Sequence, residues 1–166
     1  MNSKPILIIF LIIVLIVIGV WAYSDMQTKK SAAEVAAAEM AQVRDVVTSF
    51  GKKMQLVPLS GTKEIADTAM QENYSGLVSS ELLSAWMADP ANAPGRLTSS
   101  PWPDRIEISS VVKNANGSYA VAGNVIEITS VELENGGIAA TYPVSITVSK
   151  INGNWVISAF AKGTYQ

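Results

Sequence analysis

Ile138-Ala139-Ala140-Thr141-Tyr142-Pro143-Val144-Ser145-Ile146-Thr147-Val148-Ser149-Lys150 is the stretch that decides the fold. Ile138, Ala140, Tyr142, Val144, Ile146 and Val148 occupy one parity, and Ala139, Thr141, Pro143, Ser145, Thr147 and Ser149 the other. Successive side chains of a strand point to opposite faces, so this run reads as a strand with one covered face and one wet face. Asn-Gly pairs stand at Asn116-Gly117, Asn135-Gly136 and Asn152-Gly153. Asn-Gly is the preferred pair for a type I′ hairpin turn, in which both central residues need positive φ. The pairs predict four sequential antiparallel strands over residues 105–113, 119–133, 138–150 and 155–161.

Two-residue turns set the register. Pairing outward from each Asn-Gly predicts that Ile106, Ile108, Val112, Tyr119, Val121, Val125, Val131 and Leu133 share the face of Tyr142, Val144 and Val148. Trp155, Ile157 and Ala159 join them. Glu127 falls on the same face, opposite Val144, and is out of character among apolar neighbours.

The elements before the sheet are helical. Ala33, Ala36, Met40, Val43, Val47, Phe50, Met54 and Val57 recur at spacings of three and four, the stripe of an amphipathic helix that ends near Pro58 and Gly61. The same spacing is a heptad seam, which leaves a homo-oligomeric coiled coil as an alternative to packing on the chain's own sheet. Thr62 is placed to cap a second helix carrying Ile65, Ala66, Ala69 and Met70. Ser79 or Ser80 is placed to cap a third carrying Leu82, Leu83, Trp86 and Met87, stopped at Asp89-Pro90. Ala91 to Asp104, with Pro94, Gly95, Pro101 and Pro103, reads as an extended connection tied down by Trp102.

At the amino end, residues 6–23 carry no charge and almost no polarity. As a helix they span about 27 Å, close to the hydrocarbon thickness of a bilayer. Trp21 and Tyr23 stand where an interfacial aromatic belt would lie. A cleaved signal peptide is the rival reading, but the apolar run is long for one and lacks a clear break. The segment is read as a retained signal-anchor, with the amino terminus in the cytoplasm and the following domain outside the cell membrane. Its single glycine, Gly19, gives no small-xxx-small motif for helix pairing.

The chain has 166 residues, of which 14 are acidic and 12 basic, and it contains neither cysteine nor histidine. Disulfides, thiolate zinc sites, cysteine nucleophiles, Ser-His-Asp triads and imidazole ligands are therefore excluded. The bases are scattered and form no phosphate-binding stripe, so nucleic acid is not an expected partner. Gly136-Gly137 joins two strands and precedes no helix, and no acidic cluster has calcium-loop spacing, so no cofactor or metal is expected. Asn73-Tyr74-Ser75 and Asn116-Gly117-Ser118 match the glycosylation sequon, although the turn accounts better for Asn116.

Three helices followed by a long antiparallel meander resemble the NTF2-like (cystatin-like) cone. The hairpin Lys150-Ile151-Asn152-Gly153-Asn154-Trp155-Val156-Ile157 is similar to the closing strand pair of many members, where Gly-x-Trp-x-Ile follows a tight turn. No short strand is legible between the second and third helices. The resemblance implies an α+β domain over residues 31–166, its helices on one face of a four-stranded antiparallel meander, behind an anchor at 1–23 and a juxtamembrane linker at 24–30. NTF2-like domains include isomerases, dehydratases, ligand-binding modules and assembly domains. An anchored extracytoplasmic one is similar to scaffold components of bacterial conjugation and secretion machines.

Glu127 is the best catalytic candidate. A carboxylate on an apolar concave face has its pKa raised by desolvation and can serve as a general base. Tyr142 and Tyr119 share that face and can donate hydrogen bonds, and Trp155 completes an expected ligand pocket of Tyr119, Glu127, Tyr142 and Trp155. The bland alternative places Glu127 near the open rim, hydrated or paired with Arg105 or another base. A lone acid without histidine or a second inward carboxylate is a thin catalytic constellation. The expected function is therefore a non-catalytic, membrane-tethered binding or assembly module for a protein partner or a small apolar ligand. The alternative is an isomerase or hydro-lyase with Glu127 as base and Tyr142 as donor. A cavity lined by Tyr142 and reaching Glu127 favours ligand or catalysis. An interior plugged by Phe50, Met54 and Trp86 leaves only outer surfaces, where Glu107 and Glu132 are the charges to test.

Overall fold

The computed structural model describes the backbone of residues 4–165 and the side chains of residues 21, 23–31 and 33–165. The chain is α+β, and its elements follow one another as helices and then sheet. Helix α1 runs Lys4–Lys53 and passes into a 3₁₀ turn at Met54–Leu56. Helices α2 (Lys63–Tyr74) and α3 (Ser80–Ala88) follow, then a 3₁₀ turn at Pro90–Asn92. Strands β1 (Trp102–Lys113) and β2 (Tyr119–Ile128) precede a short helix α4 (Ser130–Asn135), and β3 (Ala140–Ile151) and β4 (Asn154–Lys162) end the fold. The sheet is antiparallel in the order β1-β2-β3-β4.

Two compact units divide the chain, Met1–Glu39 and Met40–Gln166. In the first, the described backbone is helical throughout, including residues 24–30, where a linker was expected. Its side chains are tied along the helix by Lys29 to Asp25 (2.7 Å) and by Gln27 donating to the Tyr23 hydroxyl (2.8 Å). Among the described residues no helix is long and apolar enough to cross a membrane. The expected anchor, residues 6–23, falls almost wholly on side chains outside that description, so it lies outside the described residues.

The second unit holds the core. Val43, Val47, Phe50, Met54 and Val57 of the α1 stripe are fully buried, whereas Ala33, Ala36 and Met40 are exposed. The stripe is thus a packing face only over its last turns. Each large apolar side chain buried there contributes roughly 1.5–3 kcal/mol relative to exposure. Thr62 accepts from the Ile65 N–H and caps α2, and Ser79 accepts from the Leu82 N–H and caps α3. Ala66, Met70, Tyr74, Leu83 and Trp86 point to the sheet, while Ile65 is exposed. Between α2 and α3, Ser79 N–H donates to the Ile157 carbonyl (2.8 Å) and Ile157 N–H to the Leu77 carbonyl (2.9 Å), so this loop covers part of the β4 edge.

The Asn-Gly pairs meet three different fates. Asn152-Gly153 makes the expected two-residue turn, with φ of 51° and 85°. Asn116-Gly117 lies in a longer loop: Gly117 N–H returns to the Asn114 carbonyl, Asn114 N–H bonds the Ser118 carbonyl, and only Gly117 has positive φ. That is a type I turn closed by a left-handed glycine. Asn135-Gly136 is no hairpin turn. Thr129 and Glu132 form a reciprocal capping box that starts α4, and Gly136 ends it by donating to the Glu132 carbonyl.

These local choices correct the predicted faces. Strand β2 stops at Ile128, so Val131 and Leu133 lie outside the sheet, 61% and 66% exposed, and Ile138 is exposed too. Glu127 pairs with Ala140 rather than Val144, a displacement of four positions along β3. Four is even, so the inner parity survives: Val121, Val125, Tyr142, Val144, Ile146 and Val148 are all buried. An irregularity between Ile108 and Ser110 reverses parity in β1, which leaves Val112 exposed and turns Val111 inward. A second, between Thr147 and Val148 and their partners, leaves Ser158 unpaired, exposes Ala159 and brings Phe160 to the core.

Candidate functional site

The inner face of the sheet is filled in its middle by rings. Phe50 lies 4.8 Å from Tyr74, 5.9 Å from Trp86 and 5.8 Å from Phe160, centroid to centroid. The Tyr74 hydroxyl donates to the Pro94 carbonyl at 2.6 Å, which satisfies a buried polar group and pins the connection after α3. A second clamp holds that connection: Arg96 N–H donates to the Val57 carbonyl and Leu59 N–H to the Arg96 carbonyl.

Beyond Trp86 and Phe160 the space is not filled. A partly enclosed cavity of about 350 Å³ is walled by the pinned connection, notably Ala93 and Leu97, and by Glu127, Tyr142, Phe160 and Tyr165. Both outcomes set as alternatives by the sequence therefore coexist: Phe50 and Trp86 plug the middle, and a cavity lined by Tyr142 reaches Glu127.

Glu127 is 7% exposed. It sits there because β2 keeps its inner parity to its last residues and pairs Glu127 with Ala140, one step diagonal to Tyr142. Its Oε1 accepts from the Tyr165 hydroxyl at 3.1 Å. Burial raises its pKa above the usual carboxylate range, while the Tyr165 hydrogen bond and the Lys162 charge pull it back. Arg105, the partner expected for a rim-exposed Glu127, instead binds Asp104 (2.8 Å) and Glu107 (2.6 Å).

Tyr142 and Tyr165 meet edge to face, with centroids 4.9 Å apart. The Lys162 ammonium stands over both rings, 4.3 Å from the Tyr142 centroid and 4.6 Å from that of Tyr165, and donates to the Tyr165 hydroxyl at 3.4 Å. Desolvation drives the Tyr142 phenol well above its ordinary range, with further contributions from Tyr165 and Glu127. Tyr165 is pushed up to about 12, first by burial and then by the Glu127 charge. Both phenols therefore stay protonated, and remain hydrogen-bond donors, at neutral pH.

The expected four-residue pocket divides in two. Glu127 and Tyr142 come together at the cavity. Tyr119 pairs with Val148, six positions along β3 from Tyr142, or roughly 20 Å at strand spacing. There it packs on Trp155 at 5.2 Å, under Lys113 and Lys150. Extended strands carry residues of one face far apart, so a shared face is not a shared site.

Tyr165 was missed by sequence reasoning because it lies beyond the last apolar alternation. The signal for it is Gly163. Its N–H donates to the Pro143 carbonyl, and a Cβ there would stand 2.7 Å from Pro143 Cγ, so only glycine carries the chain closely past Pro143 to deliver Tyr165. Glu132, expected on a strand's outer face, caps α4 instead.

No family model matches this chain, and no curated protein matches it. Among solved structures it is similar to the crystal structure of the intermembrane space region of chloroplast protein ARC6, with 17% identity, a TM-score of 0.36, and coverage of 75% of this chain and 95% of that one. A TM-score of that size transfers neither fold nor function.

Proposed function

We propose that this chain is a membrane-tethered binding module whose NTF2-like α+β domain takes a small, largely apolar ligand into the cavity beneath Tyr142 and Glu127. The cavity carries the reading. It holds about 350 Å³, and its walls mix aromatic and aliphatic side chains with a slightly larger share of polar surface, to which Glu127, Tyr142, Lys162 and Tyr165 contribute. Small-ligand sites have this size and combine ring faces with converging polar groups. The pinned connection from Ala93 to Leu97 makes the wall rigid before any ligand arrives, which lowers the cost of binding.

The tether rests on residues 6–23, whose uncharged apolar length suits a bilayer core and which end in Trp21 and Tyr23 at an interfacial position. On this reading the domain lies outside the cytoplasm, at the cell membrane. The NTF2-like assignment is supported by helices covering one face of a sequential antiparallel meander.

One observation favours the enzymatic alternative, an isomerase or hydro-lyase: Glu127 has a raised pKa and lies near the neutral phenol of Tyr142. Against it, the Glu127 carboxylate already accepts the Tyr165 hydroxyl, and among the described residues no second carboxylate lines the cavity. The binding reading needs no further acid or base.

The test uses the full chain in maltoside micelles and benzyl alcohol as probe, read by saturation-transfer NMR. Wild type transfers saturation to the probe. Leu97→Trp, which fills the cavity from its wall, loses that transfer while keeping the wild-type melting curve. Equal transfer in both proteins overturns the proposal.

A further inference from the structure

Resting on that reading, we propose that the cavity head is a site for an organic ammonium group, and that Lys162 occupies it in the ligand-free protein. Three kinds of group converge there, and each suits a cation. Tyr142 and Tyr165 turn ring faces toward one point, marked by the Lys162 Nζ at 4.3 and 4.6 Å from their centroids. Aromatic faces carry negative quadrupole potential and attract ammonium groups within about 6 Å. Glu127, buried and held by the Tyr165 hydroxyl at 3.1 Å, places a carboxylate behind those rings. Phe160 and Leu97 supply apolar wall for N-methyl groups or an alkyl chain.

The occupant is therefore a cation and not an anion. An anion drawn to Lys162 would face the Glu127 carboxylate and two ring faces. A cation meets all of these favourably and repels only Lys162, whose residue is exposed at the end of β4. A long side chain anchored on exposed backbone swings its ammonium into water without disturbing the strand. Lys162 thus acts as an internal competitor: it keeps the rings and the carboxylate from standing unpaired, and it leaves when a ligand ammonium arrives. Such competition raises the apparent Kd to the intrinsic value divided by the fraction of time the site is free of Lys162.

The same chemistry has two sources, a free quaternary amine and a choline-type lipid headgroup. The experiment uses the full chain in maltoside micelles with choline as probe and 3,3-dimethylbutanol, which has carbon in place of nitrogen, as its neutral isostere. The expected result is choline binding at least about tenfold tighter than the isostere. Lys162→Met should tighten choline about five- to tenfold by removing the competitor. Glu127→Gln and Tyr165→Leu should each weaken it, with a single cooperative melting transition retained as the check on folding. Dihexanoylphosphatidylcholine below its micelle-forming concentration separates the sources: tighter binding than choline assigns the site to a lipid headgroup, and weaker binding to a free amine. Equal binding of choline and dimethylbutanol, or a Lys162→Met variant that binds choline less well, overturns the ammonium site and leaves the cavity reading standing. Absence of binding by choline, dimethylbutanol and benzyl alcohol alike overturns both.

Discussion

Both ends of the sheet's inner face bring two aromatic rings beneath lysine ammonium groups, yet they differ in what surrounds the rings. At one end Tyr119 and Trp155 pack edge to face, and Lys113 and Lys150 each stand 5.4 Å from a ring centroid. At the other, Tyr142 and Tyr165 pack in the same way under Lys162, but beside an open cavity and a buried carboxylate. A cation over an aromatic ring is common in proteins and by itself marks no site. What distinguishes the second end is space beneath the rings together with a charge whose burial is only partly compensated.

The largest effect expected from this contrast is in stability. Tyr119 is fully buried, so Tyr119→Ala should cost about 3–5 kcal/mol. Tyr165 is nearly half exposed, and Tyr165→Ala should cost under about 1 kcal/mol while abolishing choline binding. Urea denaturation of the full chain checks both. Similar losses at the two positions would dissolve the distinction between a packed end and a working end.

Next in size is the link between the central plug and the cavity wall. Tyr74→Phe removes the donor to the Pro94 carbonyl and leaves that acceptor buried, at a cost of roughly 1–3 kcal/mol. Because the same bond pins the wall, hydrogen exchange should rise over residues 91–97 in this variant and stay unchanged at Tyr119.

The phenols set an alkaline limit. Tyr74, Tyr142 and Tyr165 all have folded pKa values raised above the ordinary 10.0 of a tyrosine, in each case first by burial. The folded state therefore holds these protons more tightly than the unfolded chain. Their contribution is whole below about pH 10 and is lost as pH climbs toward the folded values. Melting temperature should fall from pH 10 upward, and Tyr142→Phe should flatten that slope.

The smallest effect isolates Glu127. Its folded pKa is also raised, so the folded state takes up its proton before the unfolded state does as pH falls. Ionised Glu127 thus costs stability at neutral pH, and acidification toward the ordinary value of 4.5 recovers it. Glu127→Gln should be more stable than wild type at pH 7, with the difference shrinking toward pH 4.5. A constant difference across that range would show that burial does not perturb the carboxylate.

Much of this was legible in the chain. The caps at Thr62 and Ser79, the α1 stripe from Val43 onward, the alternation of β3 and the Asn152-Gly153 turn were readable because each is set by side chains within a few residues. The Asn135-Gly136 misreading had a local remedy as well. Thr129-x-x-Glu132 is a capping-box pattern, and it signals a helix start where a strand was continued. The irregularities that turned Val111 and Phe160 inward had no such mark, because a bulge is chosen by the fit of one strand to its partner.

Sequence alone determined the order of the first three helices and the four strands, the inner parity of β2 and β3, and the exclusion of thiol and imidazole chemistry, since periodicity and composition are properties of the chain itself. Only tertiary structure decided that Glu127 would meet Tyr142 and Tyr165 while Tyr119 and Trp155 would not. Parity assigns a residue to a face, but its position along that face depends on register. Register here was set by a five-residue loop, a capped helix and the close passage of Gly163 over Pro143.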